Sequence, residues 1–262
     1  NAEDDLVYAM KDGLQCNIAL FSMDENNKRI IEHCKNGGYA AVFENGYITI
    51  MKGTWKIRVV KVTEVPVTYG GKATHNIMNC LPAVLSTYFW RNISIEDIKL
   101  SLQTFVPSPA QTPGRLNMFQ FKQFKFLVDF AHNPAGLELL CDFIGKMDGE
   151  PKVGIISGTG DRRDDDIKEL GRISGRSFDE IIIRQDKNLR GRTAEEIVSL
   201  LVDGINETKT KDVPITIIYN EKEAIMHAYN TAKPGSLITI MCDVVAEALD
   251  LIKGLKEKED ME

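Results

Sequence analysis

The chain has 262 residues, a formal net charge of −6, 43% hydrophobic and 27% charged residues, the balance of a soluble globular protein of one large or two ordinary domains. An acidic balance argues against a nucleic acid or an anionic membrane as partner. The five cysteines, Cys16, Cys34, Cys80, Cys141 and Cys242, are odd in number and form no C-x-x-C pair. Reduced thiols in a cytoplasmic protein explain them better than a disulfide framework or a zinc site. No apolar run approaches membrane-spanning length, and N-A-E-D-D at the start is unlike a signal peptide.

Asn1 to Asp5 reads as a turn, residues 17–22 as a short strand and residues 24–36 as a helix stopped by Gly37-Gly38. From Tyr39 to Val67 the pattern becomes β-branched and aromatic. Asn45-Gly46 signals a hairpin, and Lys52-Gly53 turns the chain again. The expectation is an antiparallel patch with Trp55, Ile57 and Val59 on one face and Lys56 and Arg58 on the other, solvated face. A Gly-rich link over 69–74 leads into a helix over 75–90, with Pro82 inside it. Ser94 opens a capping box, S-I-E-D, for a second helix running to Phe105.

Pro107, Pro109 and Pro113 mark the boundary between two domains, 1–106 and 107–262. Beyond it strands are predicted over 126–130, 152–157, 180–184, 215–219 and 237–241. Helices are predicted over 135–147, 165–178, 193–206, 221–232 and 244–256, with the tail after Lys253 fraying. The strand centres are apolar throughout, as strands buried on both faces must be, and the alternation predicts an α/β, Rossmann-like, doubly wound sheet.

Chemistry in such sheets gathers beyond the carboxyl ends of the strands. Phe126, Leu127 and Val128 end there in Asp129, His132 and Asn133, with Pro134 opening a helix. Arg115 stands shortly upstream in a Pro-Gly turn. A fixed guanidinium beside a carboxylate and an imidazole suits a phosphate-and-metal site, although Asp129 alone would also fit a plain strand end and His132 a satisfied structural group. Asn76 and Asn79 share the face of a helix start, either as caps and surface or as amides that read an adenine edge. Gly158, Gly160 and Asp161 lack the third glycine of a dinucleotide fingerprint, since Arg163 stands in its place, so NAD binding is rejected. Arg162 and Arg163 face an anion or pair with residues 164–166. In D-K-N-L-R-G-R (186–192), Arg190 or Arg192 offers a planar fork for an α-carboxylate, or the loop is merely solvated. Asp243 partners a cationic side chain or caps the last helix. No metal-ligand set is complete in the sequence.

P-G-R-L-N followed by V-D-F-A-H-N-P resembles the junction of the central and C-terminal domains in the Mur ligase superfamily. G-G-K-A-T-H-N-I-M-N (70–79), S-G-T-G-D-R-R-D (157–164) and I-I-I-R-Q-D-K-N-L-R-G-R (181–192) agree with the family in the same order, and N-A-E-D-D resembles the acidic turn of its central domain. The resemblance implies that residues 1–106 are the C-terminal part of a Mur ligase central, ATP-binding domain, α/β with an antiparallel patch. Residues 107–262 would be the Rossmann-like C-terminal domain. It implies an ATP- and Mg2+-dependent carboxylate–amine ligase that passes through an acyl phosphate.

Within that resemblance, Arg115 and Asp129 meet the nucleotide, with His132 beside them as a third catalytic residue. Asn76 and Asn79 hold adenine. Asp186, Arg190, Arg192, Arg162 and Asp243 surround the incoming amino acid. The likeness is strongest to ligases that add arginine to an aspartate side chain of a polymer, so amino-acid and peptide or polymer acceptor substrates are expected, together with a homo-oligomer. The alternatives are a muramyl-peptide or folylpolyglutamate type of ligase, or a non-catalytic nucleotide and amino-acid binding module. No G-K-[ST] phosphate loop occurs in the sequence, so this chain is expected to be the C-terminal part of a longer protein, inactive alone. Magnesium would then rest on that loop and on ATP oxygens.

Overall fold

The computed structural model describes residues 1–261, which divide into two compact units, residues 1–106 and 107–261. In the first unit a four-stranded sheet runs in the order β1 (Ala19–Ser22), β2 (Tyr39–Glu44), β3 (Tyr47–Lys52) and β4 (Trp55–Lys61). β1 and β2 are parallel, joined over α2 (Lys28–Lys35); β2, β3 and β4 form an antiparallel meander turned at Asn45-Gly46 and Lys52-Gly53. Both Asn45 and Gly46 have positive φ, as a two-residue hairpin turn requires. α3 (Thr74–Tyr88) and α4 (Ile95–Thr104) cover the sheet through Ile77, Leu81, Val84, Leu85 and Ile98. Ser94 and Asp97 complete the capping box at the start of α4.

Residues 1–4 precede any regular structure, in line with the expected turn, and Asp4 then caps a short helix that was not expected, α1 (Asp5–Ala9), its carboxylate accepting the Val7 amide at 2.9 Å. Two expectations for β4 are corrected. The faces of β4 do not simply alternate, because the pairing with β3 shifts register between Ile48 and Thr49. The extra residue turns both Val59 and Val60 inward while Trp55 stays 47% exposed. Nor is the basic face only solvated: Lys56 pairs with Glu25 at 3.2 Å and with the buried Glu44, which also accepts from Thr49.

The second unit is a six-stranded sheet in the order β5 (Asn117–Gln120), β6 (Lys125–Asp129), β10 (Leu237–Met241), β7 (Lys152–Ile156), β8 (Glu180–Ile183) and β9 (Ile215–Ile217). All neighbours are parallel except β5 on β6. Alternate residues of the strands, such as Val128, Ile155, Ile182 and Ile240, pack with α8 (Glu221–Thr231) and α9 (Val245–Met261). The opposite face belongs to α5 (Pro134–Gly145), α6 (Asp164–Ser177) and α7 (Ala194–Thr208). Gly154 leaves room for the Phe178 ring, which a Cβ would meet at 2.6 Å. β10 enters last, between β6 and β7, so residues from four parts of the chain meet at its carboxyl end.

The segment before β6, over which the sequence predicts no strand, forms the antiparallel edge strand β5. The tail does not fray at Lys253. α9 continues to Met261, held by Glu259, which accepts the Lys122 amide at 3.0 Å and pairs with Lys256. No described helix is long and apolar enough to cross a membrane.

Candidate functional site

At the end of β6 the chain builds a pinned turn. Gly114 has φ +67°, and a Cβ there would sit 2.8 Å from Val245, so only glycine fits. Its amide donates to Asn117 Oδ1 at 2.7 Å, and its carbonyl accepts the Phe130 amide at 2.9 Å. Leu116 also adopts a positive φ, and its amide donates to Asp129 Oδ2 at 2.9 Å. Asp129 is 9% exposed. Burial raises its pKa, while the Leu116 amide and the nearby Arg115 guanidinium pull the other way. Between these anchors Arg115 points to solvent, its guanidinium 5.5 Å from the centre of the Phe130 ring. His132, exposed, lies on the same ring at 4.8 Å and is oriented by a hydrogen bond between Nδ1 and Phe130 O at 3.0 Å. Arg115, Phe130 and His132 thus form one surface at the strand end, with Asp129 beneath it.

The loops after β7 and β8 interlock. A Cβ at Gly160 would lie 2.0 Å from Leu189 O, so only glycine allows this close approach of the two backbones. Arg192 donates to Gly160 O and Arg162 O, both at 2.9 Å, and pairs with Asp164 at 2.6 Å. Arg190, with φ +48°, pairs with Asp161 at 2.6 Å and holds that carboxyl below its ordinary range. Both guanidiniums therefore have partners within the chain. Arg192 is a strut between two loops, and Arg190, 48% exposed, is the one that can be drawn onto a ligand. Arg163 pairs with Asp166 at the start of α6, while Arg162 is exposed beside it.

Beneath these loops lies a group that the sequence reading missed. Arg184, at the end of β8, is 1% exposed. Its Nη1 donates to Asp186 Oδ1 at 2.6 Å, its Nη2 to Met241 O, and its Nε stands 3.1 Å from Glu221 Oε2. Ser157 adds a hydrogen bond to Asp186 at 3.0 Å. Glu221 accepts the Asp243 amide at 2.7 Å, and Asp243 in turn accepts the Lys187 amide at 2.8 Å. One guanidinium thereby ties β7, β8, β10 and the start of α8. The available signal was a charged residue closing the apolar run I-I-I-R, where both faces of the strand are covered.

Asp186, Lys187, Glu221, Asp243 and Glu247 line a cleft of about 810 Å³ on the α8 and α9 side of this edge. In the first unit a smaller, largely apolar slot of about 330 Å³ lies between α3 and α4. Asn76 and Asn79 border it with Val67 and Phe105, and Asn76 Nδ2 donates to Val67 O at 2.8 Å. Among the described residues no group of three or more His, Cys, Asp or Glu side chains is arranged to hold a metal ion.

Residues 114–243 match the model of the Mur ligase glutamate ligase domain, a span that starts at the pinned turn and ends at Asp243. The chain belongs to the Mur ligase superfamily. It is 39% identical over 256 residues to cyanophycin synthetase of Synechocystis sp., and 40% identical over 252 residues to that of Crocosphaera subtropica. These alignments take in 98% and 96% of the chain but 29% of each relative. FolC of E. coli, solved with DHPP and ADP, shares the fold at a TM-score of 0.58 and 15% identity, over 90% of this chain and 53% of that one.

Proposed function

We propose that the chain is part of an ATP-dependent carboxylate–amine ligase that joins arginine to an aspartate side chain, as its similarity to cyanophycin synthetase suggests. The observation that carries this reading is the acidic cleft at the carboxyl edge of the sheet. There Asp186 and Asp243 stand among five carboxylates and two lysines, a setting for an amino acid with a cationic side chain. On this reading residues 1–106 are the end of the central, ATP-binding domain and residues 107–262 the C-terminal domain.

The reaction needs an acceptor carboxylate oxygen to attack the γ-phosphorus of ATP, releasing ADP. The amine of the incoming amino acid then attacks the acyl carbon, loses a proton and expels phosphate. Little covalent chemistry is left to the protein, whose contribution is positioning and charge stabilisation. Arg115, presented on its pinned turn, is assigned to the phosphoryl oxygens, with His132 orienting the same group. Asp129 serves mainly through Leu116, as the anchor of that turn. The slot beside Asn76 and Asn79 suits a planar base. Arg190 meets the α-carboxylate of the amino acid, and Arg192 with Arg162 keeps the loop in place. Mg2+ would neutralise phosphate charge, and the described residues offer it no ligand cluster of their own.

The test is ADP release by the intact gene product, supplied with an aspartate polymer and a panel of amino acids. Turnover that depends on arginine supports the proposal. Turnover that instead needs diaminopimelate with a muramyl peptide, or glutamate with a folate, assigns the chain to another branch of the family.

A further inference from the structure

The Arg184 cluster has an uneven charge. A single guanidinium faces two carboxylates, Asp186 and Glu221, whose side chains are only 11% and 15% exposed, leaving one negative charge uncompensated in a desolvated wall. The cations of the rim do not cancel it: Lys187 is 66% exposed and paired with Glu247, and Lys222 is exposed. Burial raises the pKa of Glu221 despite the adjacent Arg184, the behaviour of a carboxylate short of positive partners. Asp186 is held on its other side by Ser157 and Glu221 by the Asp243 amide; both line the cleft, and Glu221, at the start of α8, is the more exposed of the two and adjoins Asp243.

We propose that Glu221 is the specificity-determining carboxylate of this cleft, selecting an amino acid with a cationic side chain, and that Arg184 is the buried residue that positions it. The inference rests on the reading of the cleft as the amino-acid site and adds the group that does the selecting. A guanidinium or ammonium entering the cleft balances the charge of the wall. A neutral isostere leaves the wall unbalanced and gains nothing from it. Arg184 touches no substrate in this scheme; it holds Glu221 and Asp186 in one geometry and keeps their mutual repulsion from opening the strand ends.

The decisive comparison is arginine against citrulline, equal in shape and differing in charge, with the intact gene product and its Glu221→Gln and Glu221→Asp variants. Glutamine keeps an acceptor for the Asp243 amide and removes only the charge. The expected result is a KM for arginine raised on the order of 100-fold in Glu221→Gln, with kcat little changed and the KM for citrulline unmoved. Glu221→Asp, which keeps the charge, should retain the preference for arginine. An unchanged KM for arginine in a folded Glu221→Gln variant overturns the inference and leaves the ligase reading standing. An equal rise for both amino acids also overturns it, because it shows a structural role only. A wild-type protein indifferent to every amino acid overturns the ligase reading, and this inference with it.

Discussion

Asp129 accepts the Leu116 amide at 2.9 Å, and through that bond the end of β6 holds the turn that presents Arg115. The carboxylate sits beneath the surface it organises. Asp129→Ala would leave a buried amide unpaired at a residue with positive φ, a cost of about 1–3 kcal/mol. The variant should melt at lower temperature and lose kcat along with it, because Arg115 is no longer fixed. A full loss of kcat at an unchanged melting temperature would show that Asp129 meets the nucleotide directly.

Arg115 itself is exposed and makes no strong contact within the chain beyond the Phe130 ring. Arg115→Ala should therefore leave the melting temperature unchanged. In the intact gene product it should lower kcat on the order of 10³-fold, the loss seen when charge developing on phosphoryl oxygens loses its guanidinium. A raised KM for ATP with kcat preserved would make Arg115 a ground-state anchor instead.

Arg190 and Arg192 look alike in the sequence and differ in the structure. Arg192 bonds two carbonyls and a carboxylate of the neighbouring loop, whereas Arg190 has one exposed ion pair. Arg192→Ala should lower the melting temperature and raise the amino-acid KM together. Arg190→Ala should raise that KM for every amino acid while leaving stability within about 0.5 kcal/mol, as for most exposed pairs. Equal thermal losses in both variants would contradict this division of labour.

The β6 strand, the Pro134 helix start and the alternation of strands and helices were all legible in the sequence. Each is written in local signals: an apolar run, a proline and a capping side chain. The order of the sheet was not, because the insertion of β10 between β6 and β7 depends on packing across more than a hundred residues. β5 escaped because N-M-F-Q carries no periodic apolar pattern of its own and is defined by its partner. The tail helix escaped because Glu259 finds Lys122, 137 residues away. Within the site, Asp129 and Asp243 stood out as charged residues at strand ends, and Arg115 as a cation in a Pro-Gly turn. Arg184 did not, because a charge at the close of an apolar run looks like an exit to solvent until both faces are seen to be covered.

Asp129 also makes the stability depend on pH in a defined direction. Its native pKa lies above the ordinary carboxyl value of about 3.9, so the folded state holds that proton more tightly than the unfolded chain does. The contribution is fully present below that ordinary value and is lost as pH rises through the native pKa. The melting temperature of the wild type minus that of Asp129→Asn, which cannot ionise, should fall as pH rises across this window. A difference that is constant with pH would contradict it.

The 262-residue chain alone should turn over no ATP, since it contains no G-K-[ST] loop whose amides and lysine cradle a triphosphate. ADP formed by the purified chain, free of contaminating ATPase, would contradict that expectation.

The central claim, ligation through an acyl phosphate, is tested most directly by the fate of one oxygen. With the intact gene product, ATP, arginine and an acceptor carrying 18O in its aspartate side-chain carboxylates, each amide bond formed should deliver one labelled oxygen to inorganic phosphate. Amide formation with unlabelled phosphate, or phosphate released without any amide bond, would contradict the account.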